Sequence, residues 1–453
     1  NGWKKSKTSS PNFQMKFFGT DGIRGAVDGE IINHNFAHSF GIALGKFLRF
    51  NAKTNGTVLL GRDPRPSGKG LQDACGSGMQ KEGFEVLDAG MVPTPALAFG
   101  VIDSSALLGV MVTASHNPHT DNGLKVFSQF GSKLSIEEEE AIESFIEPTD
   151  SFADSNGPFK EQDITGPYIK NLLTRFPKNI LEGIKVVLDL ANGATQRTTP
   201  MAFDSLGAQV ILLNAGDGMI NHDAGSECPQ KVALKVIEEK ADFGIAHDGD
   251  GDRVIFIDHS GQVVDGDKIL GLLAKIALEK GELKGNSLVA TVHSNSGIEA
   301  FLKQMNVGFH RAEVGDRNVA LEMKIRKCNW GGESSGHVVA SDYLPTGDGL
   351  YVALTVAHYL VKTQTNLTEF SEKFFLWPSK SGAFPVKEKL PLEEIPILQE
   401  SLAQCNELMQ EEGRVLLRYS GTEPKIRLLV EGKSEPLVDE VFSNLSKCVE
   451  KIL

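Results

Sequence analysis

Short apolar runs alternate with stretches of helical period along most of this chain, and the alternation repeats. Thr57-Val-Leu-Leu-Gly-Arg-Asp63 has the composition of a buried strand. A helical spacing follows near Lys69 to Glu82, and Gly83-Phe-Glu-Val-Leu-Asp-Ala-Gly90 reads as a second strand. The order recurs with Ile184 to Leu190, a helix over Thr198 to Leu206, and Gly207 to Asn214. It recurs again with Ser287 to Val292, a helix around Gly297 to Met305, and Val307 to Ala312. Each copy places a glycine-rich or polar turn after its first strand, the pattern of βαβ units in parallel or mixed sheets. Ligands of such sheets bind at the carboxyl ends of the strands.

The end of the chain has a different rhythm. Gly382-Ala-Phe-Pro-Val386 opens a new segment, and Leu392 to Glu412 has helical spacing. Gly413 to Arg418 and Lys425 to Glu431 read as two strands around a Ser-Gly-Thr-Glu-Pro turn, and Pro436 to Leu453 as a closing helix. The expected fold is α/β: three similar α/β domains with mixed sheets plus a smaller C-terminal α+β domain, meeting at a central cleft. The expected limits are a flexible leader over 1–14, with Met15 opening the folded part, and domains over 15–160, 161–265, 266–380 and 381–453.

Composition narrows the function classes. A length of 453 residues calls for several domains, and 40% hydrophobic with 23% charged residues is ordinary for a globular chain. A formal net charge of -13 argues against a nucleic-acid surface. No apolar run is long enough to span a bilayer. The basic, polar start Asn1-Gly-Trp-Lys-Lys lacks the apolar core of a signal peptide. Five scattered cysteines form no CxxC pair, which fits a reducing cytoplasm. The expectation is a cytoplasmic protein with neither nucleic acid nor membrane as partner.

The segment Asp248-Gly-Asp-Gly-Asp252-Arg253 carries the strongest chemical signal. On an extended segment alternate side chains share a side, and the glycines let the backbone curve so that Asp248, Asp250 and Asp252 converge. Carboxylates that close repel unless a cation lies between them, and oxygen-only ligands suit Mg²⁺. The flanking runs Phe243 to His247 and Val254 to Ile257 predict strand, metal loop, strand. An EF-hand is excluded: the sixth position is Arg253 instead of Gly, and the twelfth is His259 instead of Glu.

Other segments supply complementary groups. Thr113-Ala-Ser-His-Asn-Pro118 follows the apolar run Leu107 to Val112 and exposes Ser115 at a strand tip. A Ser115–His116 nucleophile pair is not expected, because neighbours on an extended backbone point apart. Lys125 lies shortly after and suits proton transfer beside a phosphate. Gly331-Gly-Glu-Ser-Ser-Gly-His337 offers Glu333, Ser335 and an imidazole, groups suited to sugar hydroxyls. Arg418-Tyr-Ser-Gly-Thr-Glu-Pro424 with Arg427 joins guanidinium forks to Ser420, Gly421 and Thr422, an anion nest. Phe18-Gly-Thr-Asp-Gly-Ile-Arg-Gly25 is a glycine-rich turn whose Arg24 suits a phosphate.

Thr-Ala-Ser-His-Asn-Pro, Asp-Gly-Asp-Gly-Asp-Arg, Gly-Glu-Ser-Ser-Gly-His and Ser-Gly-Thr-Glu-Pro stand in the order in which they occur in the α-D-phosphohexomutases. From Met15 onward the chain resembles that family, and its first and last motifs resemble the bacterial branch acting on glucosamine phosphates. The resemblance implies a phosphoserine at Ser115 and Mg²⁺ on Ser115, Asp248, Asp250 and Asp252. It implies catalytic roles for Lys125, Arg253 and His337. Substrate contacts would come from Arg24, Glu333, Ser335, Arg418, Ser420, Gly421, Thr422 and Arg427. It further implies a hexosamine phosphate substrate, a hexose 1,6-bisphosphate activator and, as assembly, a homodimer. The expected reaction interconverts glucosamine 6-phosphate and glucosamine 1-phosphate on the way to UDP-N-acetylglucosamine and the cell wall. The alternatives are glucose or mannose phosphates with the same chemistry, a non-catalytic sugar-phosphate sensor, and a Mg²⁺-dependent phosphatase.

Overall fold

Leu108–Val112 is apolar at nearly every position because it runs through the middle of a sheet, and all five of its residues are buried. A strand covered on both faces has no polar side to show, so continuous hydrophobicity replaces alternation. In the computed structural model, which describes residues 16–148, 152, 159–386, 390–410, 412–420 and 424–452, this strand belongs to a six-stranded mixed sheet. Its order is Ile23–Ala26, Asp121–Ser128, Leu108–Val112, Thr57–Arg62, Glu85–Met91 and Lys160–Glu161. The first three strands pair antiparallel and the rest parallel. Val58, Leu60, Val110 and Val112 join Phe40, Leu44, Leu71 and Met79 of the covering helices in one core. Each such side chain contributes roughly 1.5–3 kcal/mol by leaving water.

The second sheet has five strands in the order Val263–Val264, Val254–Asp258, Phe243–His247, Lys185–Asp189 and Gln209–Leu213. Phe243–His247 and Val254–Asp258 form an antiparallel hairpin, as expected of strand, loop, strand. The third sheet has four strands in the order Gly308–Ala312, Ser287–Thr291, Trp330–Gly332 and Val338–Ala340. All three expected strand–helix–strand copies are present, with helices Gly68–Lys81, Thr198–Ser205 and Ser296–Gln304.

By its internal contacts the chain divides into two units. Residues 1–292 and 310–370 form the first, and 293–309 with 371–453 the second. In the second, Ser379–Pro385, Lys425–Gly432 and Gly413–Tyr419 form an antiparallel sheet. Helices Pro396–Met409 and Glu435–Ile452 pack on it, burying Cys405, Met409, Leu428, Val430 and Val441. The helical spacing expected over 392–412 is broken. Leu392–Glu394 is a single 3₁₀ turn, and the helix begins at Pro396. Proline has no N–H to give to a preceding turn, so it opens the helix and cannot continue one. The expected leader, 1–14, and Met15 lie outside the described residues. Among the described residues no helix is long and apolar enough to cross a membrane.

Candidate active site

Ser115 stands in the turn that follows Leu108–Val112, with a left-handed backbone (φ 52°). A non-glycine residue holds that conformation only when its surroundings enforce it. Here the enforcement comes from Arg65, fully buried, whose Nη2 donates to the carbonyls of Ser115 (3.1 Å) and Asn117 (2.8 Å). Its Nη1 donates to Asp121 O (2.7 Å) and to Pro118 O. Asp63 orients Arg65 (3.0 Å) and accepts from Thr113 Oγ1 (2.6 Å), which in turn accepts from the Ser115 N–H (2.9 Å). Asn221 adds a third grip, donating to Ser115 O at 2.7 Å. Neither Arg65, Asp63 nor Asn221 stood out in the sequence, because Arg65 and Asn221 act across long chain separations on backbone carbonyls and Asp63 acts through Arg65 and Thr113.

The same left-handed turn corrects one expectation. Ser115 Oγ and His116 Nδ1 lie 3.4 Å apart, so the neighbours do not point away from each other. Burial, then the charges of Arg253 and Arg24, lower the His116 pKa to about 4. Its imidazole is therefore neutral near pH 7.

The loop from Asp248 to Asp252 is a tight hairpin turn, not an extended segment. Gly251 has φ 73°, and a Cβ there would lie 2.3 Å from Thr195 Cγ2. This turn, and not strand alternation, makes the carboxylates converge. One ligand oxygen from each of Asp248, Asp250 and Asp252 falls within a 4.8 Å spread, and among the described residues no other acidic, His or Cys trio does so. Ser115 Oγ donates to Asp248 Oδ2 at 2.6 Å. Burial and the neighbouring Asp252 and Asp250 push the Asp248 carboxyl well above the usual range. Asp250 Oδ1 and Asp252 Oδ1 are buried and accept no hydrogen bond from the described residues. Three buried carboxylates with unused lone pairs fit a hard divalent cation, and all-oxygen donors favour Mg²⁺.

Lys125, on the strand beside the one that leads into the Ser115 turn, reaches the same cluster. Its ammonium contacts Asp250 (2.8 Å), Asp252 (3.1 Å) and Asp21 (3.0 Å), and its side chain is 1% exposed. Burial disfavours the charge, but Asp21, Asp250 and Asp252 outweigh it and raise the pKa well above that of a free lysine. Asp21 also pairs with Arg24 and Lys133. Burial opposes its charge and the three cations overcome it, holding the carboxyl well below the usual range. Arg24 Nη1 lies 3.3 Å from Ala114 O and from Asn117 Oδ1, which places it against the serine turn. Arg253 turns its backbone N–H to Asp248 (3.2 Å) and pairs with Glu227 at 3.5 Å.

The loop 332–337 is tied to the metal hairpin. Val254 N donates to Gly336 O (3.2 Å), and Arg253 and His337 form an isolated antiparallel bridge. Glu333 accepts from Gly315 N–H at 3.0 Å. Ser335 Oγ is buried with no hydrogen-bond partner among the described residues, and His337 Nε2 lies 3.5 Å from Asp316. All of Ser115, the three aspartates, Lys125, Arg24, Arg253, Glu333, Ser335 and His337 belong to the first unit, and these contacts link the serine turn, the carboxylate hairpin and the loop 332–337. The unit adds Asp21, Lys133 and Asp316, which the motifs did not single out.

The second unit holds the basic group. Arg418 and Arg427 are direct cross-strand partners, an unfavourable like-charge pairing unless an anion is meant to lie there. Arg418 Nη2 lies 2.6 Å from His293 Nε2, and Arg414 pairs with Glu431 at 2.7 Å. Burial, then Arg418, Arg414 and Arg427, lower the His293 pKa. Ser420 is buried and its N–H donates to Lys425 O (2.8 Å). Gly421 and Thr422 lie outside the described residues.

Four family models match the chain in order. They are phosphoglucomutase/phosphomannomutase alpha/beta/alpha domain I (residues 15–152), domain II (166–261), domain III (265–375) and the C-terminal domain (383–447). A phosphoglucosamine mutase of Nautilia profundicola is 42% identical over 440 residues, covering 96% of this chain and 98% of the relative. A phosphoglucomutase/phosphomannomutase family protein of Burkholderia thailandensis has the same fold, with TM-score 0.79 at 22% identity over 95% of this chain and 97% of that one. An Aspergillus fumigatus N-acetylphosphoglucosamine mutase, solved in complex with GlcNAc-6P and magnesium, aligns with TM-score 0.65 at 17% identity over 96% of each chain. With the serine turn and the carboxylate hairpin in place and four family models matching 15–152, 166–261, 265–375 and 383–447 in order, the chain belongs to the phosphoglucomutase/phosphomannomutase family of phosphohexomutases.

Proposed function

We propose that this chain interconverts glucosamine 6-phosphate and glucosamine 1-phosphate, working as a phosphoglucosamine mutase through a phosphoserine at Ser115. The observation that carries the chemistry is the Ser115 hydroxyl set 2.6 Å from Asp248, within the converging carboxylates. The observation that favours this sugar is the 42% identity to a full-length phosphoglucosamine mutase.

The residues divide the work as follows. Ser115 Oγ carries the phosphoryl group; its P–O bond breaks as a new one forms to the free hydroxyl of the bound sugar phosphate. The bisphosphate then turns, and its other phosphate returns to Ser115. Asp248, Asp250 and Asp252 would hold Mg²⁺, which when bound supplies positive charge to the transferring group. Lys125, kept as an ammonium by three carboxylates, is the acid that protonates the leaving oxygen, Ser115 Oγ in the first transfer and the sugar oxygen in the return. His337 and the neutral His116 are the bases within the site. Arg24 and Arg253 flank the serine turn and offset charge on its phosphate. Glu333 and Ser335 hold sugar hydroxyls, and Arg418, Ser420, Gly421, Thr422 and Arg427 hold the phosphate that is not reacting. A hexose 1,6-bisphosphate charges Ser115 with its first phosphate. The domain limits are placed near 160, 265 and 380. Five free cysteines support a reducing, cytoplasmic setting.

The test is turnover with Mg²⁺ and a trace of glucose 1,6-bisphosphate on glucosamine, glucose and mannose phosphates. Preference for glucosamine phosphate supports the proposal. Preference for glucose or mannose phosphate keeps the mechanism and replaces the substrate. Release of free phosphate indicates a phosphatase. Binding without phosphorylation of Ser115 indicates a sensor.

A further inference from the structure

The charged groups around Ser115 do not end at the carboxylate hairpin. Lys125 contacts Asp250 at 2.8 Å and Asp21 at 3.0 Å. Asp21 uses its other oxygen to accept from Lys133, and the same Lys133 ammonium donates to Asp316. Asp316 Oδ2 lies 3.5 Å from His337 Nε2. The result is one line of alternating carboxylates and ammoniums, Asp250, Lys125, Asp21, Lys133 and Asp316, that ends against the His337 imidazole. It begins at the metal-type cluster and ends in the sugar loop. Asp316 opens the helix Asp316–Arg326, and the residue before it, Gly315, donates its N–H to Glu333. The position of Asp316 therefore bears on both ends of the loop that contains Glu333 and His337.

Lys133 is the one cation in this line that touches neither the carboxylate hairpin nor the serine turn. Its side chain is 13% exposed, and those of Asp21 and Asp316 are 22% and 10% exposed. A lysine that served only packing would not need to satisfy two carboxylates from segments 295 residues apart, the difference between positions 316 and 21. A second link runs parallel to it: Arg317 pairs with Glu139 of the helix Ile136–Glu143.

We infer that Lys133 is a positioning residue, which through Asp21 and Asp316 holds the sugar-binding loop at a set distance from the phosphoryl-transfer centre. Misplacement of about 1 Å between donor and acceptor costs on the order of a hundredfold in rate, so a brace between the two halves is worth its burial. The bisphosphate must turn between two transfers, and both of its orientations must meet Ser115 at the same place. A fixed loop-to-serine distance serves both. The inference rests on the mutase reading for its substrate but not for its geometry.

The test is a double-mutant cycle of Lys133→Met, Asp316→Asn and the pair. The readouts are kcat and KM on the preferred hexose phosphate, each normalised to the fraction of enzyme that glucose 1,6-bisphosphate phosphorylates at Ser115 by intact mass. Each single variant is expected to lose about tenfold or more in kcat with KM within about threefold, and the double to lose less than about threefold beyond the worse single. Effects that multiply in the double, or single variants with unchanged kcat, would overturn the inference. A loss confined to the phosphorylatable fraction shows a merely structural lysine and overturns it too. If the wild type prefers another hexose phosphate, the substrate reading fails and the cycle runs on that sugar. If it turns over none, the rate of phosphoryl transfer from glucose 1,6-bisphosphate to Ser115 replaces kcat, with the same expected pattern.

Discussion

Ser115 and Asp248 are 133 residues apart in the chain and share a hydrogen bond of 2.6 Å. That contact puts the strand tip of one sheet onto the hairpin turn of another and creates a place for a phosphoryl group beside three carboxylates.

Removing the hydroxyl separates chemistry from folding. Ser115→Ala is expected to lower turnover by on the order of 10³-fold or more, with no phosphate incorporated from glucose 1,6-bisphosphate. The hydrogen bond to Asp248 contributes only about 1 kcal/mol, so the thermal midpoint stays within a few degrees. Calorimetry and intact mass check both; an unfolded variant makes the serine structural.

Asp250 serves two masters, Lys125 and the carboxylate cluster, and also accepts from Thr94 at 2.7 Å. Asp250→Asn should raise the Mg²⁺ concentration for half-maximal rate at least about tenfold and lower kcat. Chelation of the wild type should abolish turnover, and Mg²⁺ should restore it. A Mg²⁺ titration that superposes on the wild type removes Asp250 from the metal site.

Arg427 faces Arg418 across the hairpin. A charge-assisted bond to phosphate is worth about 1.5–3 kcal/mol, so Arg427→Ala should raise KM roughly 10–100-fold while Ser115 still accepts phosphate from high concentrations of bisphosphate. An unchanged KM would dismiss the anion nest.

Glu139 gives a pH signature remote from the metal ligands. Burial raises its pKa to about 7 against the partial compensation of Arg317. The folded state then binds more protons than the unfolded one between the ordinary carboxylate range and about pH 7. This stabilising contribution is fully present below the unfolded pKa and is lost as pH rises through the folded one. Glu139→Gln should flatten that decline; thermal midpoints at pH 5 and pH 7.5 decide it, and parallel pH slopes for the two proteins reject it.

Much of the site was legible because its motifs are local. The strand–helix–strand order follows from the hydrophobic period, and the Asp-Gly alternation announces converging carboxylates whatever the turn that brings them together. Where local reading failed, the backbone departed from the assumed form. An extended chain keeps Ser115 and His116 apart, but φ 52° at Ser115 brings them to 3.4 Å. The helix expected from Leu392 begins instead at Pro396, where the ring forbids an earlier start in register.

By itself, then, the sequence determined the elements, the chemical identity of the carboxylate hairpin, and the set of groups suited to a sugar phosphate, because spacing over a few residues decides which side chains can act together. The tertiary structure decided which distant segments meet. Arg65 clamps the serine turn, Asn221 reaches Ser115 O from the loop after the strand Gln209–Leu213, and Lys133 joins Asp21 to Asp316. Such contacts join buried charges and backbone carbonyls from separate elements. No local period encodes them, and each forms only when packing removes the water that would otherwise satisfy both partners.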